Sequence, residues 1–384
     1  MTARRAWLLY QAGFGFGLCL GLSTFTLWVI DRLGAGPLTL ALIGTTLEVV
    51  YTVAEVPTGV VADRISRRAS VVLSYAVIGT AMLGFAAFAS VPLVIACYAL
   101  WGLGYTFQSG ALDAWLADEI GPDRLSRVVL RGAQVGWAGA LGGVVVATLL
   151  GAVSLRGAIV AGGVTMLGVA VALALVMPET GFRPHATPEV GGLRALLATA
   201  VEGAAVVRGH HVLLLLVGVG FVYGAWTESF DRLWVAQIVE IGVPSGLRDV
   251  TAVGILTGLA VVSGIVVLEL ATRRLEDPSD ARLRRILTIV TGGLLVGALV
   301  FALAGSFALA LVAYLVLVAL RSLVAPLQTC GSTGRSRTRA PARRCSRWST
   351  RATRSGRWQA ARRSVGSRAP SPCARASVSE RPRP

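Results

Sequence analysis

The sequence predicts an all-α membrane protein, and three observations support this fold class. Hydrophobic residues make up 54% of the 384 residues, charged residues only 15%, and the mean hydropathy is +0.69. Long uncharged runs alternate with short segments that carry Arg. Each run is close to the length of about 20 apolar residues that a helix needs to cross a bilayer. A water-soluble enzyme is a poor fit to this composition.

Ten runs are predicted to span the membrane. The first begins after Arg4 and Arg5 and continues without a small-residue cleavage pattern, which predicts a retained helix and not a cleaved signal peptide. The predicted spans are 7–30, 38–61, 69–90, 92–116, 132–153, 157–178, 211–235, 249–270, 286–304 and 306–328.

The distribution of Arg predicts the orientation of these spans. One side of the predicted membrane carries 16 Arg residues in the N-terminus and loops, whereas the other has Arg32, Arg156 and Arg248, with Arg232 near a helix end. Cytoplasmic loops are enriched in basic residues. The N-terminus is therefore predicted to lie in the cytoplasm, in a multi-pass protein of a bacterial inner membrane.

A long polar segment divides the predicted spans into two groups. Residues 1–178 are predicted to form an N-terminal six-helix bundle, 179–208 a cytoplasmic linker, and 209–329 an incomplete bundle of four helices. Transporters built from two repeated bundles hold their substrate between the halves. The plan therefore favours transport over catalysis.

The loop between the second and third predicted spans carries a motif. Residues 59–68 read Gly-Val-Val-Ala-Asp-Arg-Ile-Ser-Arg-Arg. This stretch resembles the signature loop of the major facilitator superfamily, Gly-x-Leu-Ala-Asp-Arg-x-Gly-Arg-Arg/Lys, with Val61 in the Leu place and Ser66 replacing the second Gly. The resemblance implies a two-bundle fold in which this chain has about ten of the expected 12 helices.

The resemblance also implies a gate at this loop. In the family the Asp faces the N-terminal end of the eleventh helix, and the Arg residues make a charge relay with an acid that ends the fourth helix. A carboxylate near a helix N-terminus gains about 0.3–1 kcal/mol, which is lost when the bundles separate. The alternative is a loop that only fixes topology. The matching positions are Gly59, Asp63, Arg64, Arg67, Arg68 and, for the acid, Asp118.

Two further stretches, 55–59 and 109–115, resemble drug-efflux branches of the superfamily more than its sugar carriers. The resemblance implies a secondary active transporter that works by alternating access, with a proton as the coupling ion and outward-moving amphipathic molecules as substrates. A metabolite transporter of the same superfamily is the alternative. The fifth span is glycine-rich, as in the family's antiporters, but it lacks their Gly-Pro pair.

Polar groups inside the predicted spans are candidates for substrate or proton binding, because ionisable side chains are costly in a bilayer. Glu48 and Glu55 are seven residues apart on the second span and hence share one face. Asp113 and Arg131 are close to two adjoining helix ends and form a candidate pair. Glu228 precedes Arg232 by four residues, which also permits pairing. For each carboxylate, a structural hydrogen bond is the alternative. The other candidates are Gln108, Gln134, Trp137, Tyr223, Trp226 and Arg321.

Small residues and metal ligands give two further expectations. Gly13, Gly17 and Gly21 recur every four residues and predict close helix approach. The cysteines and histidines have no metal-ligand spacing. We expect no cofactor, no metal and no enzymatic activity.

The segment 330–384 differs from the rest of the chain. It holds 15 of the 36 basic residues, all of them Arg, and one acid, Glu380. It is interpreted as disordered or as an out-of-frame translation of a GC-rich gene whose intact product has 12 spans. In the second case the chain is a truncated product that does not transport. The expected partners are a small-molecule substrate, a proton and the lipid bilayer, with no nucleic acid, and the protein is expected to be a monomer.

Overall fold

The computed structural model describes residues 2–182, 208–209, 226–227, 230–274 and 280–334. Within these residues the chain forms helices and no strand, which confirms the all-α prediction. Nine stretches of the described residues are long and apolar enough to cross a membrane, and each matches a predicted span. The tenth, 211–235, lies largely outside the described residues. The helices are α1 (Ala3–Leu22), α2 (Phe25–Leu33), α3 (Pro37–Arg64), α4 (Arg67–Ala87), α5 (Val91–Ser109), α6 (Ala111–Ile120), α7 (Pro122–Gly151), α8 (Leu155–Val176), α9 (230–241), α10 (Asp249–Arg274), α11 (Asp280–Ala302) and α12 (Phe307–Gly334).

Local signals set the helix boundaries. Gly34 ends α2 with φ +59°, a conformation that glycine adopts without a steric penalty. Ser66 and Ser154 cap α4 and α8, where their hydroxyl oxygens accept hydrogen bonds from the backbone N–H groups of Ala69 (2.9 Å) and Gly157 (3.0 Å). The end of the helices at the 63–68 loop is called the motif end. The opposite end of the helices, at Gly34 and Ser154, is called the far end.

The glycines of α1 allow it to pack closely on α8. A Cβ atom at Gly13 would lie 2.6 Å from the Val169 side chain, and one at Gly17 would lie 3.2 Å from Met166. Gly21 approaches the Cα atom of Gly162 in the same way. The close helix approach predicted from the four-residue glycine spacing is confirmed.

The glycines of the fifth span have a similar packing role against the other side of α1. A Cβ atom at Gly139 would lie 2.6 Å from the carbonyl oxygen of Ala12 and 3.2 Å from the backbone nitrogen of Phe16. The backbones of α1 and α7 are therefore in direct contact. This contact gives a structural reason for the glycine content of the fifth span.

We expect Gly139→Leu to destabilise the first bundle by about 1–3 kcal/mol, because the added side chain overlaps the backbone carbonyl oxygen of Ala12. Thermal unfolding of the purified protein in detergent measures the change. Gly168→Leu is the matched control, since a Cβ atom at Gly168 meets nothing within 4 Å. Equal losses in the two variants would contradict the packing role of Gly139.

Buried side chains form two separate cores. The first lies within α1–α8 and includes Tyr10, Tyr75 and Trp115. The second lies within α9–α12 and includes Trp234 and Tyr314. The described residues thus form two groups of helices, which we call the first and second bundles.

The two bundles contact each other toward the far end. A Cβ atom at Gly254 of α10 would lie 2.7 Å from the Thr148 methyl group of α7, and one at Gly151 would lie 2.8 Å from the Val250 side chain. Leu27 of α2 also joins the buried core of the second bundle. Near the far end, α7 and α10 are therefore in direct contact, with the Thr148 and Val250 side chains each packed on a glycine of the other helix.

Candidate functional site

The motif loop forms a charged cluster at the motif end of the first bundle. Arg67 opens α4, and its guanidinium bonds to the carboxylate of Asp118 on α6 and lies 3.6 Å from the carboxylate of Asp63. Its side chain is only 7% exposed, whereas that of Asp118 is 33% exposed. The ring of Phe182 stacks against the same guanidinium at 5.6 Å. One buried cation thus joins the loop, the end of α6 and the segment after α8.

The same cluster fixes the start of the linker. The Glu179 carboxylate accepts hydrogen bonds from the Ser66 hydroxyl (2.7 Å) and the Arg68 backbone N–H (3.0 Å), so it sits at the positive N-terminal end of α4. The Arg68 guanidinium bonds to the carbonyl of Ala174. Glu119 accepts from the backbone N–H groups of residues 180 and 181 at 2.5 and 2.6 Å. The linker is therefore anchored to the first bundle by two carboxylates.

Neither of these carboxylates was predicted from the sequence. Glu179 follows Pro178 directly after the sixth span, and Trp115 donates from its indole N–H to the Pro178 carbonyl at 2.6 Å. Glu179 could have been identified because a carboxylate that directly follows a membrane span can lie beside the N-terminus of another helix.

The remaining motif residues face outward. Arg64 is exposed, Asp63 is about half exposed, and a Cβ atom at Gly59 meets nothing within 4 Å.

We expect Glu179→Ala to destabilise the protein by about 1–2 kcal/mol, because α4 loses a charged acceptor at its N-terminus and the linker loses one anchor. Thermal unfolding in detergent measures the change. Glu240→Ala removes an exposed carboxylate near the far end and is the control. A Glu179 variant as stable as the Glu240 variant would show that the cap contributes nothing.

Glu48 and Glu55 lie on a partly exposed face of α3. Between them, the Tyr51 ring packs on Tyr105 of α5 at 5.1 Å, so both carboxylates flank an aromatic contact within the first bundle. Neighbouring side chains such as Val53 are exposed on the same helix. Both carboxylates are half-buried.

Gln108 lies in a different environment from the one predicted for a cavity residue. It is 3% exposed, and its side-chain oxygen accepts a hydrogen bond from the Tyr10 hydroxyl at 2.6 Å. The Tyr75 hydroxyl in turn donates to the Tyr10 carbonyl at 2.6 Å. Gln108 thus joins α5 to α1 inside the first core.

The other candidates of the first bundle are dispersed. Asp113, Arg131 and Gln134 are exposed and Trp137 is half-buried. The pair expected between Asp113 and Arg131 stays a prediction.

The second bundle contains an ion pair within the predicted membrane. Arg321 of α12 bonds to Asp231 of α9 through both of its terminal nitrogens, with Nη2 and Oδ2 at 2.7 Å. Phe230 stacks on Trp226 at 5.7 Å and on Tyr314 at 6.0 Å beside this pair. Arg321 is a candidate predicted from the sequence, whereas Asp231 was not predicted to be a site residue.

Arg232 contacts the first bundle. Its guanidinium lies 4.9 Å above the ring of Tyr98, which is completely buried in α5. Tyr98 is itself stacked on Phe25, Phe85 and Trp101. This cation and ring contact is a second contact between the bundles, deeper in the fold than the contact at Gly254. Glu228, the expected partner of Arg232, lies outside the described residues, as does Tyr223.

The side chains present do not suggest a metal centre. Among the residues that the structure describes, no three His, Cys, Asp or Glu side chains are placed to hold a metal ion. The arrangement consists instead of a charged cluster at the motif end, a closed contact at the far end, and carboxylates at membrane depth between them.

Comparison with known proteins relates this arrangement to one family. The family model described as Major Facilitator Superfamily matches residues 4–341. An uncharacterized MFS-type transporter of Methanocaldococcus jannaschii is 34% identical over 68 residues, and this alignment covers 18% of the present chain and 17% of that relative.

Solved structures share the fold at low sequence identity. A variant of the nucleoside transporter NupG superposes with a TM-score of 0.66 at 13% identity, over 86% of this chain and 82% of that one. A bacterial homolog of the human lysosomal transporter Spinster, inward-facing and unoccupied, gives 0.59 at 14% identity, over 86% and 76%. A variant of the peptide transporter POT in complex with alafosfalin gives 0.58 at 15% identity, over 85% and 81%.

Proposed function

Because the chain belongs to the Major Facilitator Superfamily and is a membrane transporter of that kind, we propose that it moves small amphipathic molecules outward by alternating access, coupled to protons. The proposed location is a bacterial inner membrane with the N-terminus and the linker in the cytoplasm, since the motif end carries most of the loop Arg residues. One chain supplies both bundles, so we propose that a monomer is the working unit.

The contact at the far end is the observation that carries this proposal. Near the far end, the Gly254 backbone of α10 packs on the Thr148 side chain of α7, and deeper in the fold Arg232 of the second bundle covers Tyr98 of the first. The charged cluster at the motif end, in contrast, is built from the first bundle and the start of the linker. We interpret the structure as the state that is closed to the outside, one of the two states that alternating access requires.

Proton coupling is proposed from the carboxylates at membrane depth. Glu48 and Glu55 lie on one face of α3 and are half-buried. When a carboxylate in a membrane protein takes up a proton, it loses its charge. Most of the free-energy cost of burying the group is then removed. Its protonation therefore favours one arrangement of the bundles over the other. We propose Glu48 as the first residue to test.

Dye transport in proteoliposomes tests this function. We expect an imposed proton gradient to drive the movement of a lipophilic dye, either cationic or anionic, in vesicles that contain the chain or a frame-restored version with 12 spans. Glu48→Gln is expected to abolish gradient-driven movement, and Glu240→Gln serves as the control.

Two other functions remain as alternatives and predict different results. A metabolite transporter moves neither dye but responds in a screen of small metabolites. A truncated product predicts that only the frame-restored version transports. Movement of dye that is unaffected by the proton gradient would reject the proposed coupling.

A further inference from the structure

Trp101 of α5 carries a buried hydrogen-bond donor that has no acceptor. Its side chain is 6% exposed, and among the residues that the structure describes none accepts a hydrogen bond from its indole N–H. A buried donor of this kind costs free energy, and the hydrocarbon region supplies no water to satisfy it. A serine or threonine hydroxyl can rotate to a carbonyl of its own helix, but an indole N–H cannot. The donor therefore calls for a specific explanation.

Glu48 of α3 lies at the same depth as Trp101. At 1.5 Å per residue, Glu48 is about 16 Å from the far end of α3 and Trp101 about 15 Å from the far end of α5. A Cβ atom at Gly102, next to Trp101, would lie 2.8 Å from the side chain of Leu47, next to Glu48, so the two positions are level. The hydrocarbon core is about 30 Å thick, which places both groups near its middle.

The two side chains also lie on the same side of the helix pair. Residues three or four apart share a helix face. Glu48 therefore shares a face of α3 with Tyr51, and Trp101 likewise shares a face of α5 with Tyr105. The rings of Tyr51 and Tyr105 contact each other, with their centres 5.1 Å apart. The carboxylate and the indole thus adjoin one ring contact, about one turn closer to the far end.

This side of α5 lies next to the second bundle. Trp101 stacks on Tyr98 at 5.5 Å, and the Arg232 guanidinium of the second bundle lies 4.9 Å above the same Tyr98 ring. Transporters with two repeated bundles hold their substrates near the bilayer midplane, at the interface of the repeats. The unpaired indole N–H therefore has the depth and the neighbours of a substrate-binding group.

Glu48 offers the complementary chemistry. Its carboxylate is half-buried, and within the described part of the chain no side chain donates a hydrogen bond to it or pairs with its charge. A ligand with a positive group and an acceptor oxygen satisfies the carboxylate and the indole together. The aromatic rings beside them favour a cation that itself carries an aromatic ring.

We propose that Trp101 is a specificity-determining residue whose indole N–H donates to an acceptor oxygen of the transported molecule, while the positive group of that molecule lies at Glu48. The Tyr51 ring is half-buried, whereas Trp101 and Tyr105 are buried, so a ligand reaches the indole by displacing Tyr51. One carboxylate holds either a proton or the positive group, in agreement with outward movement in exchange for a proton. This inference rests on the proposed function and narrows its substrates to aromatic cations that also carry a hydrogen-bond acceptor.

Binding of two matched probes to the purified full chain in detergent tests this site. The first probe, (dimethylamino)propiophenone, has an aromatic ring, a cationic amine and a ketone oxygen. The second, dimethyl(phenylpropyl)amine, has a methylene group in place of the ketone. Isothermal titration calorimetry near neutral pH measures both affinities. We expect the unaltered chain to bind the ketone at least about fivefold more tightly, because only the ketone accepts from the indole N–H.

Variants at Trp101 separate the hydrogen bond from packing. Trp101→Phe keeps an aromatic ring without the N–H and should bind both probes equally, with the affinity for the second probe unchanged. Replacement of Trp101 by benzothienylalanine keeps the size of the indole with sulfur in place of N–H, and it should give the same result in a fully packed fold.

Two further variants serve as controls. Trp7→Phe also removes an indole N–H, but that group donates to the Val128 carbonyl at 3.0 Å, so the preference for the ketone should remain. Glu48→Gln should weaken the binding of both probes by a similar factor and leave their ratio unchanged, because both probes carry the same positive group.

The outcomes distinguish this site from the transport function. The proposal is overturned if the unaltered chain binds neither probe, binds both equally, or keeps its preference for the ketone when Trp101 lacks the N–H. Loss of the preference in Trp7→Phe would also overturn it. Dye transport in vesicles that persists in any of these cases leaves the proposed function intact. A preference that depends on Trp101 in a chain that moves no dye supports the site and counts against the transport function alone.

Discussion

Replacing Gly254 by Leu is expected to open the far end of the protein. A Cβ atom at this position would already lie 2.7 Å from the Thr148 methyl group and closer still to the Thr148 hydroxyl oxygen. That hydroxyl donates to the Val144 carbonyl at 2.8 Å, which holds its rotamer. Overpacking of this kind costs about 1–3 kcal/mol. The cost applies only while α7 and α10 are in contact, so it shifts the equilibrium toward separated far ends by about 5- to 150-fold.

Cysteine labelling measures this shift. In a chain whose own cysteines are replaced by Ala, the reporter is Leu27→Cys, since Leu27 is buried against the second bundle. A membrane-impermeant maleimide added from the far side is expected to react slowly with the parent and at least about fivefold faster when Gly254→Leu is added.

Two controls accompany the Gly254 variant. Gly258→Leu should leave labelling nearly unchanged, because its nearest neighbour is Val144 Cγ1 at 3.9 Å from an added Cβ. The reciprocal exchange Thr148→Gly with Gly254→Ala should label as slowly as the parent, since it restores the space. Fast labelling of the parent itself would contradict a closed far end.

Removing the carboxylate of Asp118 is expected to destabilise the motif end strongly. Arg67 is 7% exposed and bonds to Asp118, so Asp118→Asn leaves a nearly buried cation with only the more distant carboxylate of Asp63 at 3.6 Å. The loss of a partner for a buried charge costs several kcal/mol when the pair is fully buried. Because Asp118 is one-third exposed and water can compensate in part, we expect a loss of about 1–3 kcal/mol.

A double replacement tests the cause of this loss. Arg67→Met with Asp118→Leu removes both charges and should recover most of the stability lost in Asp118→Asn, because no cation is left without its partner. Thermal unfolding in detergent gives both values. If the double variant is no more stable than the single variant, the guanidinium also contributes through its contact with the Phe182 ring. If Asp118→Asn alone has no effect, the ion pair is not the element that holds this end together.

The motif end shows how far the sequence could be interpreted. The resemblance at residues 59–68 drew attention to Arg67 and Asp118, which the structure places in contact although 51 positions separate them. The same reasoning overlooked Glu179 and Glu119, because their partners are backbone N–H groups and hydroxyls and not charged side chains. Nearly every residue has a backbone N–H group, so the residue type does not reveal this kind of donor. Anchoring of this kind becomes visible only when the helix ends are brought together.

Two residues within the membrane spans, Gln108 and Asp231, show a second limit of prediction from the sequence. Gln108 is polar and lies within an apolar span, which predicted a cavity position, yet Tyr10 satisfies it inside the first core. Asp231 is no more conspicuous in the sequence than its neighbours, yet it bonds to Arg321, 90 positions later. Residue type predicts the cost of placing a group in a membrane. It does not predict which neighbouring helix removes that cost.

The sequence by itself determined the class of the protein, its membrane-spanning helices and the position of its signature loop. These features follow from local properties: apolar length, Arg in loops, and glycine, serine and proline at helix ends. The tertiary structure alone decided which charges pair, which polar groups are buried and where the bundles touch. Each of these depends on the rotation and approach of helices far apart in the chain, and at Gly254 the approach is so close that no side chain fits between α10 and the Thr148 side chain of α7.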